Sequence, residues 1–295
     1  MKKQIVFSGV GTALVTPFKN GKIDYSATAA LIESQISAGI DALIIAGTTG
    51  EAATLSDYER YSLFEFTKEA VAGRVKLVFG VGTNDTKIAV RHARRATEIG
   101  CDALLAVTPY YNKGTHRGIL EHYRKICGAT DLSVILYNVP SRTGVDLTVS
   151  EICELSEMEN VAAIKEAGDS MEKFGALASL SDSIGLYAGN DSHTYQVLSL
   201  GGLGVISVLS NLCPAYVKKI CTLFFEGDKK GALALQSRTA PLVRALFSET
   251  NPAPVKYLMQ MQGKIENELR LPLAPVCEET AKKLETQDRK IIGES

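Results

Sequence analysis

Lys165 closes a short apolar run, Val161-Ala162-Ala163-Ile164-Lys165, ahead of Glu166-Ala167-Gly168. The run reads as a buried strand. Side chains alternate along a strand, so Ala163 and Lys165 share one face while Ile164 and Glu166 share the other. In a parallel sheet covered on both sides neither face is openly wet, and the desolvation penalty on a lysine there favours the neutral amine. A neutral amine attacks carbonyl carbons and forms Schiff bases. The competing reading is a strand-end lysine that snorkels to solvent or pairs with Glu166.

Other groups stand at the ends of similar runs. Gly47-Thr48-Thr49-Gly50-Glu51 offers adjacent hydroxyls and turn amides, which suit a small carboxylate; the plain alternative is a turn before a helix. Tyr137 reads as a proton donor and acceptor or as a core tyrosine. Arg142, in Pro140-Ser141-Arg142-Thr143-Gly144, reads as a bidentate carboxylate clamp or as a solvated loop arginine. Ser207 has no histidine placed by sequence to activate it. The four histidines, His92, His116, His122 and His193, include no i,i+4 pair and read as helix-surface or loop residues, which argues against a metal site. Gly201-Gly202-Leu203-Gly204 reads either as a phosphate cradle or as a tight turn that admits the next strand. Taken together, an amine, hydroxyls and one guanidinium suit a carbonyl compound that carries a carboxylate.

The elements that must position these groups recur along the chain. Apolar runs end at small or polar residues in Gly11–Pro17, Ala42–Ala46, Lys76–Gly80, Ala103–Val107, Val134–Tyr137, Val161–Lys165, Gly185–Ala188 and Gly204–Val208. Between them lie helical patterns over Asp24–Ala38, from the capping box Ser56-Asp57-Tyr58-Glu59 to Val71, and over Asn84–Ile99 and His116–Cys127. Strand–helix alternation without hairpin signals predicts a parallel (β/α)₈ barrel, a TIM barrel, whose reactive groups gather where strands end. A doubly wound open sheet is the alternative, but Gly80-Val81-Gly82 lacks the third glycine of a dinucleotide loop. After Pro214 only helical patterns follow: Ala215–Glu226, Lys229–Leu246, Pro254–Gly263 and Glu278–Arg289. The division expected is a catalytic barrel over residues 1–224 and a C-terminal helical domain over 225–295.

Composition narrows the setting. A net charge of -1, with 45% hydrophobic and 22% charged residues, is that of an ordinary globular protein with no general attraction for nucleic acid or anionic membrane. The cysteines, Cys101, Cys127, Cys153, Cys213, Cys221 and Cys277, are scattered without a C-x-x-C pair and read as reduced thiols. Met1-Lys2-Lys3 is not expected to open a signal peptide, because Ser8, Gly9, Gly11, Thr12 and Pro17 interrupt any apolar stretch. No segment is long and apolar enough to span a membrane, and a cytoplasmic location is expected.

The motifs GTTGE, TPYYN, LYNVPSRTG, AAIKEA, AGND and GVISV, followed by NPAPVKYLM and RLPLAPV, stand in an order and spacing that resembles the dihydrodipicolinate synthases. These are also called 4-hydroxy-tetrahydrodipicolinate synthases, and the likeness covers nearly the whole chain. N-acetylneuraminate lyases and keto-deoxy-sugar-acid aldolases share the YNxP and lysine motifs. They typically carry a serine at the first threonine of GTTGE and lack SRTG, so Thr48 and Arg142 favour the synthase. A non-catalytic keto-acid-binding barrel is the alternative from another class, and the hydroxyl groups speak against it.

The resemblance implies condensation of pyruvate with L-aspartate 4-semialdehyde, without metal or organic cofactor. It makes Lys165 the Schiff-base nucleophile, Tyr137 the proton shuttle, and Thr48 its link to Tyr111. Thr49 would hold the pyruvate carboxylate and Arg142 that of the semialdehyde, with Gly189 and Ile206 lining the pocket. It further implies a tight dimer in which Tyr111 enters the neighbouring site, commonly doubled to a tetramer. Lysine-inhibited members offer a serine, two histidines, an asparagine, a glutamate and a tyrosine to the inhibitor. The matching positions here are Ala52, Asp57, Arg60, Asn84, Ile88 and Tyr110, so only the asparagine and tyrosine remain. Arg60 and Asp57 are the charged groups left to replace the rest, and insensitivity to lysine is expected.

Overall fold

The computed structural model describes residues 4–292, so Met1-Lys2-Lys3 and the last three residues of the C-terminal stretch lie outside the described residues. Eight parallel strands close into a barrel: β1 Gly9–Ala13, β2 Ala42–Ile45, β3 Lys76–Gly80, β4 Ala103–Val107, β5 Ser133–Asn138, β6 Val161–Glu166, β7 Gly185–Ala188 and β8 Gly204–Ser207. Each strand pairs with the next, and β8 closes on β1 with Gly9 opposite Gly204. The helices between them are α1 Tyr25–Ser37, α2 Asp57–Val71, α3 Thr86–Ile99, α4 His116–Cys127, α5 Val149–Ser156, α6 Met171–Ala178, α7 Thr194–Ser199 and α8 Pro214–Phe225. The expected barrel is present, with helices on its outside.

Local chemistry accounts for most of the boundaries. Side chains of Asp24, Ser56, Asp85, Thr115, Thr148 and Ser170 each accept from a backbone N–H in the first turn of the helix that follows. Ser56 and Glu59 form the expected capping box, and Thr148 with Glu151 forms a second. β1 begins and ends two to four residues earlier than Gly11–Pro17. Asn211 explains the early end, because its side chain takes Ala13 O and Val15 N at 2.9 and 3.1 Å and draws the backbone off the sheet.

Two expectations need correction. A hairpin does interrupt the first unit: Phe18–Lys19 pairs antiparallel with Lys22–Ile23 around Asn20-Gly21, both at positive φ. Asn-Gly is the strongest two-residue turn signal, since both positions must enter the left-handed region. His92 and His122 are not on the helix surface but buried between helices. His92 Nδ1 meets Tyr61 Oη and His122 Nδ1 meets Thr86 Oγ1, each at 2.9 Å, and burial pushes both imidazoles down to about 4. Gly201 to Gly204 is the tight turn, at the end of the barrel away from Lys165. A Cβ on Gly204, whose φ is +145°, would fall 1.8 Å from Gly9 O.

The cysteines are all free thiols, with Cys101, Cys127 and Cys221 buried, Cys213 partly buried, and Cys153 and Cys277 exposed. Beyond α8 come α9 Lys229–Leu246, α10 Ala253–Met261 and α11 Glu278–Ile292. This segment is bolted to the barrel by charge. Lys256 Nζ lies 2.5 Å from Glu51 Oε1, with both side chains fully buried, and also donates to Glu268 O at 2.9 Å. Arg270 N donates to Glu51 Oε2 at 3.1 Å, and the Arg270 guanidinium grips Glu59 at 2.9 and 2.5 Å. The ring of Phe18, presented by the Asn20-Gly21 hairpin, lies 4.3 Å from Lys256 Nζ and 4.3 Å from Arg270 Cζ.

Removing one partner of a buried pair leaves an uncompensated charge. Lys256→Met is therefore expected to destabilise the protein by about 3–5 kcal/mol, and adding Glu51→Leu to restore much of it. Urea unfolding of the three proteins measures this. A Lys256→Met midpoint equal to that of the parent would show that the pair holds nothing together.

Candidate active site

The alternation of β6 settles where its lysine goes. Ala163 belongs to the interior core with Tyr137, Tyr187 and Ile206, while Ile164 belongs to the layer between strands and helices. Lys165, two residues beyond Ala163, follows it inward and is 5% exposed. It stands in register with Tyr137 of β5 and Tyr187 of β7. Its Nζ lies 4.0 Å from the centroid of the Tyr137 ring and has no hydrogen-bond or ion-pair partner among the described residues. Snorkelling to solvent is excluded by this burial. Pairing with Glu166 is excluded by the other face of the strand, where Glu166 accepts from Asn138 Nδ2 at 3.0 and 2.9 Å and from Gly168 N at 2.6 Å, and meets Lys173 Nζ at 3.1 Å.

The two most deeply buried lysines near this end of the barrel are thus in opposite states. Lys256 is matched to a carboxylate and is structural. Lys165 is matched to an aromatic face and is left with its amine uncommitted.

Around it, the loop after β2 turns sharply, with Ala46 and Glu51 at φ 52° and 53°. Glu51 is spent on Lys256, which fixes the turn that carries Thr48 and Thr49. Thr49 is 3% exposed, and its Oγ1 accepts from Asn251 Nδ2 at 2.9 Å. Arg142 lies in the helical turn Pro140–Thr143, and its Nη2 donates to the backbone oxygen of Asn251 at 2.9 Å. Thr48, Tyr137, Arg142 and Asn251 line one cavity of about 440 Å³, whose wall also includes Tyr110, Arg60 and Ile88. Thr48 and Tyr137 share that wall with no hydrogen bond between them.

Gly189 follows β7 and donates its N–H to Glu166 O at 2.7 Å; a Cβ there would sit 2.7 Å from that oxygen. Only glycine permits β6 and β7 to approach so closely beyond the lysine. Ile206 is fully buried in the interior core on β8. Tyr111 is different. It is 89% exposed at φ 73° and does not join Lys165 of its own chain.

Sequence reasoning missed two contributors. Asn251 lay in a recognised motif, but its contacts lie 202 and 109 residues away in sequence. Asp191, 3% exposed, accepts from Ser207 Oγ at 2.5 Å, Val208 N at 2.9 Å and Leu209 N at 3.0 Å. Burial raises its carboxyl pKa, and these donors and the charge of Lys165 oppose the rise. Ser207, without a histidine, is the strut of this carboxylate. Among the described residues no group of three or more His, Cys, Asp or Glu side chains is arranged to hold a metal ion.

Residues 6–290 match the model of the dihydrodipicolinate synthetase family. The chain is 43% identical over 284 residues to the 4-hydroxy-tetrahydrodipicolinate synthase of Thermotoga neapolitana, covering 95% of this chain and 97% of that one. The crystal structure of dihydrodipicolinate synthase from Thermotoga maritima is similar with a TM-score of 0.95 at 40% identity, covering 97% of this chain and 99% of that one. A monomeric dihydrodipicolinate synthase variant matches with a TM-score of 0.95 and 40% identity, covering 97% of each chain.

Proposed function

Because the chain belongs to the dihydrodipicolinate synthetase family, we propose that it condenses pyruvate with L-aspartate 4-semialdehyde through a Schiff base on Lys165. The activity is that of the 4-hydroxy-tetrahydrodipicolinate synthases, lyases of the diaminopimelate and lysine pathway. One observation carries the reading: a buried amine at a strand end, against a tyrosine ring, with no carboxylate paired to it.

The Lys165 amine attacks the ketone carbon of pyruvate, and the adduct loses water to give an imine. The imine withdraws electrons from the neighbouring methyl group, which gives up a proton. The resulting enamine carbon attacks the aldehyde carbon, and the aldehyde oxygen takes a proton. Tyr137 moves these protons in relay with Thr48 and with Tyr111 of a second copy. Thr49 holds the pyruvate carboxylate, Arg142 holds that of the semialdehyde, and Gly189 and Ile206 shape the pocket with their backbones. Residues 1–224 form the catalytic barrel and 225–295 the helical extension in this reading. Among the described residues no helix is long and apolar enough to cross a membrane, and the pathway assigns the enzyme to the cytoplasm.

Lys165→Ala is expected to lower turnover by several orders of magnitude and to abolish borohydride trapping of pyruvate, while urea unfolding stays near the parent. Peptide mapping of the trapped parent locates the adduct. A reduced pyruvyl group on any other lysine would sink the assignment.

A second copy is needed because Tyr111 faces solvent while Tyr137 faces the cavity. The assembly proposed is a tight dimer, doubled to a tetramer. Lys165→Ala and Tyr111→Phe chains, each nearly inactive, are expected to recover activity when dissociated together and reassociated, since one site of each hybrid has both groups. No recovery would mean that Tyr111 does not cross.

Lysine should not inhibit. The two charged groups left at that part of the cavity are largely engaged: Arg60 donates through Nη1 and Nη2 to Gly80 O and Ala52 O at 2.9 and 2.7 Å, with only its buried Nε unmet, and Asp57 is held by Arg91 at 2.5 Å. Ile88 supplies no carboxylate for an ammonium, and one charged hydrogen bond is worth about 1.5–3 kcal/mol, roughly 10- to 150-fold in affinity. Initial rates against lysine at subsaturating pyruvate measure this. Half-inhibition below about 1 mM, the scale of a ~4 kcal/mol site, would overturn it.

A further inference from the structure

Asn251 touches both side chains assigned to substrate carboxylates, and it uses a different part of itself for each. Its backbone oxygen accepts from Arg142 Nη2, and its side-chain Nδ2 donates to Thr49 Oγ1, both at 2.9 Å. Asn251 is 4% exposed and lines the cavity beside Thr48, Tyr137 and Arg142. Its Oδ1 is buried without a hydrogen-bond partner. The amide presents its nitrogen to Thr49, and its buried oxygen is left unmet, a condition that calls for a reason.

A threonine hydroxyl has one proton to give and lone pairs to accept with. Where Asn251 donates to the oxygen, the proton of Thr49 is free for another acceptor, and no described residue takes it. If the hydroxyl donated into residue 251 instead, it would turn a lone pair toward an incoming carboxylate and repel it. We infer that Asn251 is a positioning residue for pyruvate: it sets the sense of the Thr49 hydroxyl so that the proton points at the pyruvate carboxylate. This rests on the reading of Thr49 given above. The helical extension then contributes to recognition of the first substrate by side chain and supports that of the second by backbone, so the two contributions can be separated by mutation.

Asn251→Asp is nearly isosteric but can only accept at neutral pH, so it reverses the hydrogen bond and adds a negative charge. The KM for pyruvate is expected to rise at least about tenfold, equivalent to roughly 1.4 kcal/mol, while KM for the semialdehyde stays within about threefold and kcat at saturating pyruvate falls less than KM rises. Thr49→Val raises the pyruvate KM on its own, and Thr49→Val with Asn251→Ser, which adds no charge, is expected to be no worse than Thr49→Val alone. Asn251→Ser, too short to donate to Thr49, is read in the same way if the aspartate variant does not fold. An unchanged pyruvate KM in Thr49→Val overturns the role of Thr49 itself. A raised KM in Thr49→Val with no change in the Asn251 variants, or with equal rises for both substrates in them, overturns the role of Asn251 alone.

Discussion

The geometry of the site hangs on an ion pair that touches no substrate. Glu51 and Lys256 are fully buried 2.5 Å apart, 205 residues distant in sequence. In energetic terms such a pair is a doubtful way to stabilise a core, because desolvating two charges cancels much of their attraction. What an ion pair supplies, and a pair of leucines does not, is a unique partner in a unique place. Glu51 ends the Gly47–Glu51 turn, so its position sets those of Thr48 and Thr49. Lys256 lies in the first turns of α10, so its position sets that of Asn251 just before the helix. The pair therefore joins the turn that carries Thr48 and Thr49 to the segment that carries Asn251, and Arg270 on Glu51 and Glu59 keeps them from shearing.

A second network stands behind the lysine. Tyr137 and Lys165 face each other inside the barrel, and their next neighbours Asn138 and Glu166 face each other outside it. There Asn138 bonds Glu166 and also Asp146, which Lys173 holds in turn. The strand ends that present the reacting groups are thus clamped by the residues one position further on. Because strand side chains alternate, the clamp can carry full charges without bringing any of them to the amine. Asp191, the buried carboxylate that feels the charge of Lys165, is itself occupied by Ser207 and two backbone N–H groups. Among the described residues Lys165 is left without a hydrogen-bond or ion-pair partner, because Glu166 and Asp191 are both engaged elsewhere.

Much of this was legible in the sequence where the signal is local. The strand–helix order, the Ser56–Glu59 box and the placing of Lys165 on the same face as Ala163 follow from period and spacing, and the structure reproduces them. The signal of the hairpin at Asn20-Gly21 is equally local, but the alternation of strands and helices dominates the pattern around it. His92 and His122 were misplaced for a different reason: an imidazole can be buried neutral once a hydroxyl meets one nitrogen, and Tyr61 and Thr86 are 31 and 36 residues away. Asn251, Lys256 and Arg270 lay beyond local reasoning altogether, since nothing in their neighbourhoods names partners more than 100 residues earlier.

The loop that carries Tyr111 closes the argument about what one chain can do. Tyr111 and Lys113 both have positive φ, a conformation that costs an L-residue roughly 1–2 kcal/mol. The tip is nonetheless held, by Tyr111 N on Thr143 O at 3.3 Å, Asn112 N on Tyr110 O at 2.9 Å and Asn112 Nδ2 on Asn84 O at 3.0 Å. Those bonds keep a strained loop rigid while leaving its aromatic ring almost wholly in water. A single chain gains nothing from rigidity there, because the ring makes no use of it. A second copy docking on the same face would gain a ring already in place, with its ordering entropy spent during folding rather than at association.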